Sequence, residues 1–313
     1  MFYLGIDVSK KTHHIVILDN DGERFNKSFS IKNSSEDFQN LLTFLKKHNL
    51  SPANTLAGLE ATGNFWENIY SFLTNENFKV IVINPHQTNK YREALRKKAK
   101  TDDIDALVIA GLLRSGEYAA SYVPEEDIQT LREFTKLRYE FIKDRKNYQR
   151  QCYALLELVF PELSSTSLKN PFGIAATSIL KRFPTASHLA KAKVKQIEKI
   201  VRSIQGNNFS ISDIKQLINT AKSSIYSGRA SEARGTTVKM LLTNIRGLNS
   251  HIAELDSNIE TILSPSSPND SNSFPGANLL SIPGVGKKTL AAILSCVGAD
   301  GNAFASGTKL IGH

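Results

Sequence analysis

The stretch FYLGIDVSKKTHHIVILDNDGERFNKSFS, residues 2–30, decides how the first part of the chain is read. Residues 2–8 (FYLGIDV), 13–19 (HHIVILD) and 24–30 (RFNKSFS) are short runs rich in β-branched and aromatic residues. Asn20-Asp21-Gly22 supplies turn chemistry between the last two. Three strands joined by short connections predict an antiparallel meander. Downstream the period changes. Ser34 or Ser35 caps a predicted helix over about 36–48, with Phe38, Leu41, Leu42 and Leu45 on one face. A strand at 54–60 (NTLAGLE), a helix from Asn64 and a buried-looking strand at 79–84 (KVIVIN) follow, and Pro85 ends that strand and admits another helix.

Three antiparallel strands followed by alternating helix and strand is the order of an RNase H-like α/β fold. Within it, four carboxylates draw attention. Asp7 sits between Ile6 and Val8 inside the first strand, where a charge is costly unless it is paired or bound to metal. Glu60 ends the strand at 54–60, and the small residues of LEATGN after it allow close approach to the backbone. Asp102 and Asp105, in KTDDIDALVIAGLL, open an amphipathic helix, and their i, i+3 spacing places both on one face, whereas Asp103 points elsewhere. Each has an ordinary alternative, a helix-start charge or a lysine partner. Together they predict a cluster that only cations can neutralise. With hard oxygen ligands and no His or Cys set, Mg²⁺ or Mn²⁺ is expected rather than zinc.

The remainder reads as helical. Residues from Glu125 to about Val159 contain no Gly or Pro, and shorter helices are predicted around 173–182, 194–204 and 211–225. Val238, Leu241, Ile245, Leu248, Ile252, Leu255, Ile259 and Ile262 then form a heptad seam with alternating spacings of three and four. The seam predicts a coiled coil, expected against another protomer, with packing inside the chain as the alternative. A turn-forming linker, SPSSPNDSNSFPG, precedes LLSIPGVGKKTLAAILSCVG at 279–298.

The 313-residue chain carries 39 basic and 30 acidic residues, a formal net charge of +9, which favours a polyanionic partner. Much of the excess lies in KYREALRKKAK, where Lys90, Arg92, Arg96, Lys97, Lys98 and Lys100 face a single acid, Glu93, next to the Asp pair. In a second basic stretch, Lys136 to Arg150, the aromatics Tyr139, Phe141 and Tyr148 are expected to pack rather than stack on bases. Gly284 and Gly286, with Lys287 and Lys288, suggest a helix-hairpin-helix turn whose backbone N–H groups meet phosphate without sequence selection. The spacing of a nucleotide-binding phosphate loop is absent. A phosphotransferase related to sugar kinases would share the early GxD but also need a second glycine-rich phosphate loop. Cys152 and Cys296 form no CxxC pair, and no signal-peptide or membrane-length apolar run is seen, so a cytoplasmic protein without a membrane role is expected.

GIDVSKKTHHIVILD, LEATGNFWENI, VIVINPHQTNKYREALRKKAKTDDIDALVIAGLL and LLSIPGVGKKTLAAIL, in that order, resemble the DEDD transposases of the IS110 insertion-sequence family, which includes pilin-gene inverting and bridge-RNA-guided recombinases. The resemblance covers residues 1–118 and 276–313, and the helical middle matches in character only. It implies a RuvC-like metal-dependent domain over 1–124, a helical and coiled-coil region over 125–264, a linker at 265–275, and a partial C-terminal transposase domain with the hairpin at 276–313. It puts the catalytic, metal-binding tetrad on Asp7, Glu60, Asp102 and Asp105. The implied partners are DNA, a structured guide RNA and further copies of the chain, as a dimer or tetramer. The family's C-terminal domain continues beyond the counterpart of FASGTKLIGH (304–313) to a nucleophilic serine. Ser306 does not align with that serine, so the joining step is expected to be incomplete in this chain. A non-catalytic nucleic-acid-binding oligomer derived from such a transposase is the alternative.

Overall fold

The computed structural model describes residues 1–61, 63–95, 102–206, 209–264 and 276–298. The chain divides into two compact units, Met1–Val123 and Pro124–His313.

The first unit is built on five strands: β1 (Phe2–Asp7), β2 (Thr12–Leu18), β3 (Phe29–Lys32), β4 (Thr55–Glu60) and β5 (Lys79–Ile83). Their order is β3-β2-β1-β4-β5, with β1, β2 and β3 antiparallel and β1, β4 and β5 parallel. This is the RNase H-like arrangement. One expected element moves. Of the run at 24–30, only Phe29 and Ser30 join β3, and Arg24 makes an isolated bridge with Leu18. The cause is local: the Asp19 carboxylate accepts hydrogen bonds from the backbone N–H groups of Asp21, Gly22 and Glu23, tightening the turn, and β3 then pairs with the first half of β2.

Side chains alternate across the sheet with period two. Leu4, Ile6, Ile15, Ile17, Ala57, Leu59 and Val82 share one core with helices α1 (Ser35–Lys47) and α2 (Glu67–Asn75). Ser34 caps α1 by accepting from the Asp37 N–H at 3.3 Å. On the opposite face lie α3 (Pro85–Ala94) and α4 (Asp102–Ser115), with Leu56, Ile81, Ile83, Ile109, Leu112 and Leu113 in one cluster and Val16, Leu18, Ala106 and Ala110 in another. Glycines set how close α4 comes. A Cβ on Gly5 would overlap the Ala106 and Ala110 backbone, and one on Gly58 would meet Leu113. Gly5 and Gly58 therefore seat α4 on the two strands that end in Asp7 and Glu60, and by the same alternation both carboxylates point to the α4 face.

The second unit is helical: α5 (Glu126–Val159), α6 (Ile174–Arg182), α7 (Ala186–Ala190), α8 (Val194–Arg202), α9 (Ile211–Lys222), α10 (Ser231–Ile262) and α11 (Lys287–Val297). The expected second-protomer role of the heptad seam is corrected here. Val238, Leu241, Ile245, Ile252, Leu255 and Ile259 are buried, and α10 runs antiparallel to α5 of the same chain. The pairings show the direction: Arg138 with Asp256, Phe141 with His251, Arg145 with Asn249. The seam finds its partner in α5 because Leu131, Phe134, Arg138, Phe141, Arg145, Tyr148, Cys152 and Leu155 repeat with the same spacing of three and four. Six of those eight positions already read as an apolar stripe in the sequence, which Arg138 and Arg145 interrupt. Tyr139, expected to pack, instead lies 66% exposed, whereas Tyr148 packs on the core shared with α6–α9.

Candidate active site

A cleft of about 510 Å³ opens at the ends of β1 and β4, lined among others by Asp7, Glu60, Gly63, Asn89, Arg92, Asp102 and Asp105. All four carboxylates singled out in the sequence thus border one space. Asp7 closes β1, opposite His14 of β2. Glu60 closes β4, one residue beyond the parallel pair Ile6 and Leu59. Asp102 and Asp105 come from the first turn of α4, Asp105 buried and Asp102 exposed.

Glu60, Asp102 and Asp105 are each held by a neighbour. The buried Thr88 hydroxyl, one turn into α3, donates to Glu60 Oε2 at 2.5 Å. His14 Nε2 lies 3.0 Å from Asp102 Oδ2, its Nδ1 being 3.1 Å from the Ser30 hydroxyl. Arg92 Nη2 lies 2.5 Å from Asp105 Oδ1, and Nη1 donates to Asn89 Oδ1 at 2.9 Å. Asp103 points away from the cleft and takes a two-pronged contact from Arg24, at 3.2 and 2.9 Å. The Arg24 guanidinium, helped by Ser28, holds the Asp103 carboxyl below the usual carboxylate range. Among the described residues no three His, Cys, Asp or Glu side chains lie close enough to hold a metal ion. The donor set still suits one: four carboxylates around one cleft are hard oxygen ligands of the kind Mg²⁺ and Mn²⁺ take.

His14 and Thr88 escaped sequence reading. Their signals were present, since alternation along β2 puts His14 across from Asp7, and Asn84-Pro85 starts a helix that brings Thr88 round one turn later. Of the basic segment, Lys90 is exposed on α3 and Arg92 enters the cleft, whereas Arg96, Lys97, Lys98 and Lys100 lie outside the described residues, as does Ser306.

The glycine turn belongs to the second unit. A 3₁₀ turn at Ala277–Ser281 leads through Gly284, whose φ of +89° is the left-handed conformation that favours glycine, to Gly286, the N-cap of α11. Leu290, Ala291 and Leu294 pack α11 against Ile128 and Leu131 of α5 and Ile259 of α10. Lys287 lies 3.5 Å from the Ser264 hydroxyl. Lys288 is tied to Asp256 at 2.5 Å, and Arg138 holds the other oxygen of that carboxylate. Burial opposes ionisation of Asp256, but the Lys288 and Arg138 contacts outweigh it and keep its carboxyl below the usual range. No described helix is long and apolar enough to cross a membrane.

An RNase H-like sheet with strand-end and helix-start acids around one cleft defines a class of nucleic-acid-processing domains. Residues 4–161 match the DEDD transposase family of IS110 type, described as transposase, and the chain belongs to that family. It is similar to the pilin gene-inverting protein of Moraxella bovis, 28% identical over 108 residues, a stretch covering 34% of this chain and 33% of that protein. It is also similar to a Streptomyces coelicolor protein named as transposase of the IS117 mini-circle, 23% identical over 98% of this chain and 74% of that one. The match thus spans about a third of the pilin gene-inverting protein's length. Among solved structures, Thermus thermophilus RuvC shows 15% identity over 38% of this chain and 99% of its own, with a TM-score of 0.29.

Proposed function

We propose that this chain is a transposase acting on DNA, with Asp7, Glu60, Asp102 and Asp105 holding one or two Mg²⁺ or Mn²⁺ ions for phosphodiester cleavage. The observation that carries the reading is the convergence of acids from β1, β4 and α4 on one cleft, within a chain of the DEDD transposase family. Bound there, the ions would activate a nucleophile and stabilise the leaving oxygen. The chain's own part is positioning. Asp7 and Glu60 stand on rigid strand ends, the Thr88 hydroxyl orients Glu60, and His14 orients Asp102. Lys90 and Arg92, with Arg96, Lys97, Lys98 and Lys100 following in sequence, would draw phosphates towards the acids. In the second unit, the N–H groups at the α11 N-terminus after Gly284 and Gly286 offer a second backbone contact. Lys287 adds its charge there, whereas Lys288 must first leave Asp256. The reading includes a structured RNA guide, a homo-oligomer and a cytoplasmic setting.

Two measurements test it. Sequencing of nucleic acid co-purified with the chain should return one structured RNA. DNA bearing the element's ends should be cut, with that RNA, only when Mg²⁺ or Mn²⁺ is present, and Asp7→Asn should abolish cutting. Cleavage that survives chelation or Asp7→Asn would refute the assignment. The contacts that Glu60, Asp102 and Asp105 make with neighbouring side chains support one other reading, a nucleic-acid-binding protein without catalysis, for which binding would persist without any cleavage.

A further inference from the structure

Arg92 stands apart from the other basic residues of its segment. Its side chain is only 14% exposed, that of Asp105 only 11%, and the two meet at 2.5 Å inside the carboxylate cleft. Asn89, one turn earlier on α3, fixes the guanidinium from the other side at 2.9 Å. A lysine or arginine serving only as a phosphate contact would extend into solvent, as Lys90 does on the same helix. A half-buried guanidinium aimed at a carboxylate is instead set up to neutralise it.

We propose that Arg92 is a resident counter-ion of the cleft: it neutralises Asp105 in the metal-free protein and competes with the divalent cation for that carboxylate. The inference rests on the metal reading above. Its physical basis is crowding of charge. An ion bound at about 2.1 Å through the oxygen that Arg92 contacts would sit no more than about 4.6 Å from the guanidinium nitrogen. A dication and a guanidinium that close repel strongly at the effective dielectric of a half-buried site. Loading through that oxygen therefore requires the guanidinium to leave it. Until it does, Arg92 offsets one of the four carboxylates of the cleft, and Asp105 can sit among the acids of β1, β4 and α4 without an ion.

The test is calorimetric titration of the full chain with Mn²⁺ in the absence of nucleic acid. Arg92→Gln removes the charge and should tighten Mn²⁺ binding by at least about tenfold. Arg92→Lys keeps the charge and should stay within about threefold of the parent. A purely structural role for Arg92 predicts the opposite sign, since losing the contact would loosen Asp105 and weaken binding. A role confined to phosphate contact predicts no change at all. Either outcome in Arg92→Gln, with circular dichroism showing a folded chain, overturns the proposal. If Arg92→Gln fails to fold, Asn89→Ala decides: it releases the guanidinium without removing charge, and should tighten binding about threefold, with unchanged or weaker binding overturning the proposal. Asp7→Asn separates the two levels of argument. If it weakens Mn²⁺ binding while Arg92→Gln leaves binding unchanged, only the Arg92 proposal falls. If neither the parent nor Arg92→Gln binds Mn²⁺, the metal reading falls and takes the proposal with it.

Discussion

Replacing Gly5 by alanine probes the contact that places the acids. The new Cβ would stand 2.6 Å from the Ala110 backbone nitrogen and 2.9 Å from the Ala110 Cβ, and would overlap the Ala106 carbonyl oxygen. The obstacles are helix backbone, so no side-chain rotation relieves them, and α4 must back away from β1 by roughly 0.5–1 Å. Overpacking of this kind costs about 1–3 kcal/mol, and rigid neighbours put this site at the upper end. Alanine's smaller unfolded-state entropy offsets about 0.4–1 kcal/mol, leaving a net loss of about 2 kcal/mol. Trp66 is the single tryptophan and packs in the first unit's core, so its fluorescence during urea unfolding reports that unit alone. Because Asp102 and Asp105 ride on the displaced helix, Mn²⁺ affinity should fall as well. An unfolding free energy within about 0.5 kcal/mol of the parent would refute the claim that Gly5 sets the seat of α4.

The seam of α10 should behave as an intramolecular core. Ile252→Ala should cost the second unit about 2–4 kcal/mol in thermal or urea unfolding and leave the sedimenting mass unchanged, and a fall in mass at undiminished stability would return the seam to contact between copies. His13 is fully buried in the first unit and stacks on Phe38, and burial pushes its pKa below 6.5. Below pH 6.5 the unfolded chain therefore binds a proton that the folded one resists. This share of stability is complete above pH 6.5 and is lost as pH falls through the folded value. Comparing unfolding of His13→Gln with the parent between pH 7.5 and 5.5 should show a shallower loss in the variant, and parallel profiles would remove His13 from the account. Burial pushes the Cys152 thiol up to about 12, whereas Cys296 is exposed. Iodoacetamide should label Cys296 alone in the native chain, and rapid labelling of Cys152 would contradict the packing of α5 on its core.

Much of this protein was legible in its residues because the relevant signals are local and periodic. The alternation in FYLGID and THHIVIL, the turn at Asn20-Asp21-Gly22 and the Pro85 break specify strands and a helix start through neighbours a few positions apart. A buried-strand aspartate and a D-x-x-D helix opening are conspicuous for the same reason, since each conflicts with its own surroundings unless something neutralises it. Where β3 begins was not legible, because the Asp19 turn and the pairing with the first half of β2 outweigh the composition of 24–30. The partner of the α10 seam was equally hidden: periodicity states that a face is buried but not against what, and two arginines interrupted the matching stripe on α5. The sequence by itself determined most of the strands and helices and made the acids stand out. Only tertiary structure could decide that two glycines let α4 lie against β1 and β4, that His14, Thr88 and Arg92 each meet an acid, and that Lys288 is held by Asp256, because these contacts join residues far apart in the chain.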